Sequence, residues 1–345
     1  MAPGRSLDRP GAAGDPRITH KETRALSDGA IEHPAIRRTS KRRRRLHRLD
    51  AVVSPYLYVG SFFLVFCAFG LFPLGYTAYM SMTDRNLLDP TTHFIWFQNY
   101  SELLHDSYFW NAVKNTLFIW VLSTVPQLLL ALGLAHLLNT RLRGRTFFRM
   151  SVLLPQVTSL VAVALIFTQL FSRDYGVINW VLSGVGLGPV DWEAGTFSSW
   201  VALSVMVTWR WTGYNALLYL AAMQSIPDDL YESAAIDGAG RWKQFRHITV
   251  PMIRPTIIFT VIVSTIGGLQ LFTEPYLFQP IKNGALGGSA RQYQTVAMYL
   301  YEKSFGSAQY KFGYAAAIAW CLFLIIVLIS IVNFLVVRRI RSAES

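Results

Sequence analysis

Polar side chains are costly inside apolar segments, so those that occur there are the first candidates for chemistry. Two groups stand out. One is the run Trp209-Arg210-Trp211-Thr212-Gly213-Tyr214-Asn215; the other comprises Ser264, Gly267, Gly268, Gln270 and Glu274. Ring faces beside amide, hydroxyl and charged groups suit reversible recognition of a solute with both apolar and hydrogen-bonding surface. Plainer roles compete. Tryptophan near the end of an apolar segment anchors at a membrane interface, Trp200 more than Trp209 or Trp211. Gly267-Gly268 can serve close helix packing alone. Arg210 can pair with Glu274 to tie two segments together, and Gln127, Gln156 and Gln169 suit bonds between helices.

Residue patterns for making or breaking covalent bonds are missing. There is no Gly-x-x-x-x-Gly-Lys-Ser/Thr loop to cradle nucleotide phosphates, and the glycines at 284–288 lack the lysine and the preceding strand. There is no His-Glu-x-x-His, and the histidines are scattered, with His20, His33 and His47 near the start, so no metal site is expected. No serine sits in a Gly-x-Ser-x-Gly elbow. The chain is not expected to be an enzyme.

A third polar stretch, Ile226 to Pro255, is patterned differently. Pro227-Asp228-Asp229 is a helix start, with carboxylates at the positive end of the dipole. Leu230 to Ile236 favours helix, and Gly238 and Gly240 stop or bend it. Trp242, Phe245 and Ile248, at three-residue spacing, make a second short amphipathic piece before Pro251 and Pro255. A short helix, a glycine turn and a second helix suit a docking surface for another protein.

The elements that must position these groups are membrane helices. Of 345 residues, 52% are hydrophobic and 15% charged, against about 25% charged in soluble domains. Mean hydropathy is +0.31. Segments long enough to cross a bilayer lie at about 54–82, 112–138, 151–171, 197–223, 252–278 and 312–337, predicting an all-α polytopic membrane protein of six spans over residues 51–345. Cys67 and Cys321 sit inside apolar runs and read as small hydrophobes. Residues 1–50 are rich in Arg, Pro, Gly and Asp and read as a disordered basic tail without a signal peptide. Its run Lys41 to Arg45, with Arg48, abuts the first span, where it would stay cytoplasmic and meet anionic lipid rather than nucleic acid.

Basic residues set the orientation. Arg141, Arg143, Arg145 and Arg149 follow the second span; Arg241, Lys243, Arg246 and Arg254 lie in the third polar stretch; Arg338, Arg339 and Arg341 follow the sixth. All read as inside, with both termini cytoplasmic. The loops Thr83 to Asn111 and Arg173 to Thr196 carry one basic residue each. Gln279 to Lys311 is the exception, with Lys282, Arg291, Lys303 and Lys311 on the expected outer side; its glycines (Gly284, Gly287, Gly288) and tyrosines (Tyr293, Tyr299, Tyr301) predict a partly folded loop. No internal repeat is visible, and six helices make a thin wall around a pathway, so a second membrane subunit is expected.

With this topology, the third polar stretch resembles the cytoplasmic signature loop of binding-protein-dependent ABC importer permeases. Glu232-Ser233-Ala234, three residues, Gly238, nine residues and Ile248-Thr249-Val250-Pro251 match Glu-Ala-Ala…Gly…Ile-x-Leu-Pro, with Ser233 and Val250 as mild departures. The resemblance implies that this loop is a coupling helix docking on an ATPase subunit, with Tyr231, Glu232, Ala234, Ala235, Asp237, Gly238 and Ala239 at the contact. Ala234 and Ala235 would permit close approach, Glu232 and Asp237 would pair with partner groups, and Gly238 would turn the chain where a side chain would clash. ATP and Mg would be bound by that partner, with no cofactor in this chain. Residues 209–215 and 221–227, with Tyr231-Glu232 and Ile236 to Ala239, look like the carbohydrate-uptake branch and its larger, F-type permeases. Gly267 to Pro275 with Arg291 to Thr295 resembles actinobacterial cellobiose and cello-oligosaccharide permeases. The resemblance then implies a midmembrane sugar site at 209–215 and 264–274, an extracytoplasmic sugar-binding protein, a second permease, an ATPase dimer and a cell-membrane location. The rival expectations are a permease for glycerol phosphate and, outside this class, a secondary transporter.

Overall fold

The computed structural model describes Ser54 and residues 56–86, 91–140, 143–278, 286–306 and 310–342, with side chains described as far as Leu335. The expected disordered tail lies outside the described residues, as do Arg141, Lys282 and Gly284. The chain divides into two units, up to Phe69 and from Gly70 onward. In the first, the described residues from Tyr56 are helical, and all their side chains are exposed.

The described residues of the second unit are mostly helical, and their β-structure is limited to two isolated bridges, Thr83 with Phe94 and Asn86 with Lys311. Its helices are α1 (Phe72–Ser81), α2 (Gln98–His105), α3 (Ser107–Asn139), α4 (Arg145–Val157), α5 (Leu160–Leu170), α6 (Val177–Gly184) and α7 (Thr196–Gln224). There follow α8 (Asp228–Ile236), α9 (Arg241–Gln244), α10 (Val250–Met252), α11 (Arg254–Leu269), α12 (Thr273–Phe278), α13 (Val296–Tyr301) and α14 (Phe312–Ser342).

Among the described residues, three helical stretches are long and apolar enough to cross a membrane: Tyr56–Ser81, Ser107–Asn139 and Phe312–Leu335. Two bent pairs raise this to five. The expected third span, 151–171, is not one rod. It is α4 and α5, bent by 90° where Thr158 adopts extended backbone and Ser159 is non-helical. Pro155 removes one backbone donor from the last turn of α4, and the Thr158 hydroxyl bonds the Leu154 carbonyl (2.8 Å) where the helix ends. The expected fifth span, 252–278, is also interrupted. A bend of 67° separates Arg241–Met252 from Arg254–Leu269, and Gln270 to Phe272 leave the helix. Pro275 explains the second break: in a continuous helix its ring would strike the carbonyl of Leu271, four residues back. That carbonyl instead accepts the Thr295 hydroxyl at 2.8 Å. The expected fourth span, 197–223, is the unbroken α7 of 29 residues, yet it is not among the apolar spans. Several of its polar residues, Ser199, Ser204, Thr212 and Asn215, are buried in protein.

Three apolar clusters hold the second unit together. Ile119, Phe167, Trp200, Leu203, Met206, Phe278 and Tyr293 join α3, α5, α7 and α12. Leu103, Phe109, Leu269, Tyr299 and Ile318 join α2, α3, α11, α13 and α14. Ala131, Ala135, Ala216, Tyr219, Met223 and Ile253 form the third, between α3, α7 and the start of α11. The small residues of this last set let α3 and α7 pack along their lengths, as expected where lipid offers no hydrophobic drive. Interhelical hydrogen bonds are scattered along the same contacts: Tyr219 to Thr260 at 2.6 Å, the Thr208 hydroxyl to the Ser123 carbonyl at 3.1 Å, Asn333 to Thr265 at 3.3 Å. At roughly 0.6 kcal/mol each in a membrane, they select register rather than supply most of the stability.

Candidate solute cavity and docking surface

α7 divides the first candidate group by its helical period. Residues 207, 211, 214 and 215 lie on one face and, with Thr124, Gln127, Ser264, Gly267, Gln270 and Glu274, line a cavity of about 250 Å³. Val263, Gly268 and Leu271 to Thr273 complete it. Trp209, Thr212 and Gly213 lie on another face, against a separate, mostly apolar cavity of about 620 Å³ between α3, α4 and α7. Trp209 contacts the Phe167 ring at 5.5 Å, and the Thr212 hydroxyl bonds the Thr208 carbonyl at 2.6 Å. Eight of the twelve pathway candidates thus share one cavity: Trp211, Tyr214, Asn215, Ser264, Gly267, Gly268, Gln270 and Glu274.

Arg210 takes the bracing role weighed in the sequence. Its Nη1 lies 3.4 Å from Glu274 Oε1, joining α7 to α12, and its guanidinium lies 6.0 Å from the Trp211 ring centre. The glycines also divide. A Cβ on Gly268 would come within 2.6 Å of Trp120 and one on Gly213 within 1.7 Å of the Val152 carbonyl, so both are required for close helix approach. A Cβ on Gly267 would meet nothing within 4 Å, leaving that residue to the cavity. Gln127 bonds Ser264 between α3 and α11 (3.4 Å), as expected of an interhelical glutamine, and lines the cavity as well. Gln156 departs from that expectation, since its Oε1 is buried without a partner among the described residues.

The backbone break at Gln270 to Phe272 forms one cavity wall. Non-helical backbone at membrane depth persists only where protein or a water-filled cavity meets its polar groups. Here a buried polar knot supports it. Arg291 is bidentate on Glu302 (2.6 and 2.8 Å), and Gln294 bonds both of them. The amide nitrogen of Asn115 on α3 donates to the carbonyls of Arg291 and Gln294, each at 3.0 Å. Trp200 donates to the Gln292 carbonyl at 3.0 Å, so it is a buried donor and not an interface anchor. Thr295 reaches the Leu271 carbonyl, as above, and α13 starts on Thr295, with the Val296 amide bonding Thr116 at 2.9 Å. The loop expected to be partly folded is therefore a plug whose Gln294 and Thr295 are 0% exposed. Its described cations have partners: Arg291 pairs with Glu302, Lys311 with Glu102 (4.0 Å), and Lys303 lies over the Tyr299 ring at 5.2 Å. At its edge, burial opposes ionisation of Asp106, but bonds from Tyr299, Tyr314 and the Tyr108 amide, with Lys303 nearby, hold its carboxyl below the usual range.

The third polar stretch has the expected form of helix, glycine turn and helix. α8 ends in a paired motif: the Gly238 amide bonds the Ala235 carbonyl (3.1 Å) and the Ala239 amide bonds the Ala234 carbonyl (2.8 Å). Gly238 has φ +77, a region where side chains are strained. Its Cβ would meet nothing within 4 Å, so the expectation that a side chain would clash is corrected: within this chain, dihedral angle and not space demands glycine. The second piece is α9 followed by a π-helical turn, Phe245–Thr249. Tyr231, Phe245 and Ile248 pack onto the third apolar cluster, and Tyr231 bonds Thr249 at 2.9 Å. The other side faces away from the protein. Glu232, Ala235, Asp237 and Gly238 are exposed, Ala234 and Ala239 partly so, while Ile236 and Trp242 are 87% and 71% exposed.

A family profile described as "Binding-protein-dependent transport system inner membrane component" matches residues 116–342. The chain belongs to that family. This permease is 36% identical over 291 residues to the lactose transport system permease protein LacF of Rhizobium radiobacter, covering 83% of this chain and 95% of that one. It is 30% identical over 323 residues to the diacetylchitobiose uptake system permease protein NgcF of Streptomyces coelicolor, covering 90% and 89%. Among solved structures it matches a chain of a bacterial ABC transporter involved in the import of the acidic polysaccharide alginate, with TM-score 0.69 and 26% identity over 86% of this chain and 99% of that one. These relatives are transporter subunits, not enzymes, and the chain is likewise a permease subunit of a membrane ABC importer.

Proposed function

We propose that this permease translocates a di- or oligosaccharide by alternating access, driven by ATP hydrolysis in a partner chain. One observation carries the reading: the break at Gln270 to Phe272 opens onto a cavity whose other walls offer Trp211, Tyr214 and Asn215. Interrupted helices at membrane depth build solute sites in transporters, and a ring beside amides and hydroxyls suits a sugar's C–H face and hydroxyls. The curated relatives are named for sugars, lactose, arabinooligosaccharides and diacetylchitobiose among them. The only charged residue lining the cavity is Glu274, which speaks against an anionic solute such as glycerol phosphate. Ligand pockets span about 300–1,000 Å³, so a cavity of about 250 Å³ suits half a site, the remainder supplied by a second permease. A neighbouring alginate transporter structure is described as in complex with alginate pentasaccharide-bound periplasmic protein, and a comparable sugar-binding protein would deliver solute here.

Within this proposal, the membrane unit has six spans with both termini cytoplasmic, and Tyr231 to Ala239 is the coupling helix on an ATPase dimer that binds the ATP and Mg. Cello-oligosaccharide is the favoured sugar. Because Arg291 to Thr295 is taken up by packing, that choice rests on Gly267 to Glu274 alone. The test is uptake by vesicles carrying the whole importer. Trp211→Ala is expected to abolish uptake while the ATPase chain still co-purifies; Gly238→Trp or Glu232→Lys is expected to lose both. Survival of uptake and co-purification in the latter pair would refute the coupling role, and solute movement by the isolated subunit would establish a secondary transporter instead.

A further inference from the structure

α4 begins with a local conflict. Helix N-termini carry partial positive charge and favour acidic residues. The first turn of α4 has none, and its cap provides no side-chain bond. Instead Arg145 opens the helix, and Arg149 sits one turn on, a like-charge spacing that is itself unfavourable. Both guanidiniums converge on one neutral acceptor: with its carboxamide oxygen facing them, Gln224 at the end of α7 accepts from Nη2 of each. The Nε of each arginine is buried without a partner among the described residues, and no described carboxylate forms an ion pair with either. Two cations on a positive helix end are left short by at least one anion.

A groove of about 270 Å³ runs beside them between α4 and α7. Thr146, Arg149 and Gln224 stand at its polar end, and Leu153, Leu217 and Leu220 form its apolar floor. The outer face of α4 carries exposed Phe147, Met150 and Leu154, as on a helix lying at a membrane interface. The geometry points to an anionic phospholipid as the occupant. Its phosphate is held by Arg145, Arg149 and the α4 N-terminus, and an acyl chain lies along the leucines. A free phosphate would satisfy the charges but leave the floor empty. The site lies in the cytoplasmic leaflet if the docking surface is cytoplasmic, and on that reading it has a purpose. Gln224 is two residues from Ile226 and four from the start of α8, so a lipid drawing both guanidiniums outward frees the hinge between α7 and the docking helix.

The test uses the full chain, delipidated in detergent, titrated with short-chain phosphatidylglycerol, phosphatidylcholine or inorganic phosphate and read by native mass spectrometry and thermal shift. Phosphatidylglycerol is expected to bind and stabilise far more than the other two. At about 1 kcal/mol per arginine near a lipid surface and 1.4 kcal/mol per decade, Arg145→Gln with Arg149→Gln should weaken it by roughly 30-fold. Arg145→Lys with Arg149→Lys keeps most of the binding, which separates lost charge from lost fold. Leu217→Trp, which fills the floor, should weaken phosphatidylglycerol with both arginines in place. Equal binding of phosphatidylcholine, equal protection by inorganic phosphate, or unchanged phosphatidylglycerol affinity in the double glutamine variant would each overturn the proposal. Co-purification of the ATPase chain, scored on the same variants, tests the coupling reading separately: its loss with lipid binding intact assigns the arginines to a protein partner and removes the lipid.

Discussion

Residues 226–255 and 291–302 are both polar interruptions between apolar helices, and they reach opposite ends. The first turns its patterned side outward: α8 contains no buried residue, and Ile236 and Trp242 stand exposed. The second turns Gln294, Thr295 and Glu302 inward and is sealed by Asn115, Trp200 and Thr116. Exposed apolar side chains beside carboxylates indicate a surface completed by another molecule, whereas a saturated buried network fixes a unique local structure. The chain thus holds the knot at 291–302 inside the protein and keeps an exposed, patterned surface from Asp228 to Trp242.

The sharpest way to break this comparison is to cut one strand of the knot. Arg291→Ala leaves Glu302 buried without its partner and is expected to cost about 3–5 kcal/mol, a large drop in the thermal midpoint of the detergent-solubilised protein. Glu232→Ala, on the exposed segment, should shift stability by no more than about 0.5 kcal/mol and yet weaken ATPase co-purification; equal melting losses would erase the distinction. Next come the packing glycines. Gly213→Ala, forced against the Val152 carbonyl, should cost about 1–3 kcal/mol, while Gly267→Ala should leave the midpoint unchanged and show only in uptake. Gly238→Ala is expected to cost about 1–2 kcal/mol from its left-handed backbone, with Gly238→Asn milder, measured as loss of helix at the end of α8 by hydrogen exchange.

The smallest effect is a pH dependence. The Asp106 carboxyl titrates lower when folded than when unfolded. Its stabilisation is therefore complete above the unfolded value of about 3.9 and is lost as pH falls through the lower folded value. A melting midpoint flat from neutral pH to about 5 and falling below about 4 is expected, and Asp106→Asn should remove the Asp106 share of that fall.

What could be read from the sequence follows the range of the interactions. The docking segment was legible residue by residue, from Pro227 at the start of α8 to Gly238 at its end, because caps and glycine turns are set by neighbours a few positions away. The apolar helices at 112–138 and 312–337 were legible because membrane thickness alone dictates their length. The breaks in the third and fifth spans were not. A proline marks both, but a proline inside an apolar run is compatible with a straight span, and the Leu271 carbonyl finds its partner in Thr295, 24 residues away.

By itself the sequence determined the family signature and the helical class, and it named candidate groups for meeting a solute. Only the tertiary structure decided which of them share a cavity, because two positions along α7, about 200° of rotation, send Trp211 and Trp209 to different sides. It also turned a loop whose basic count made it the exception in the sequence into a buried plug at 291–302, where Arg291 and Glu302, 11 residues apart, cancel each other's charge.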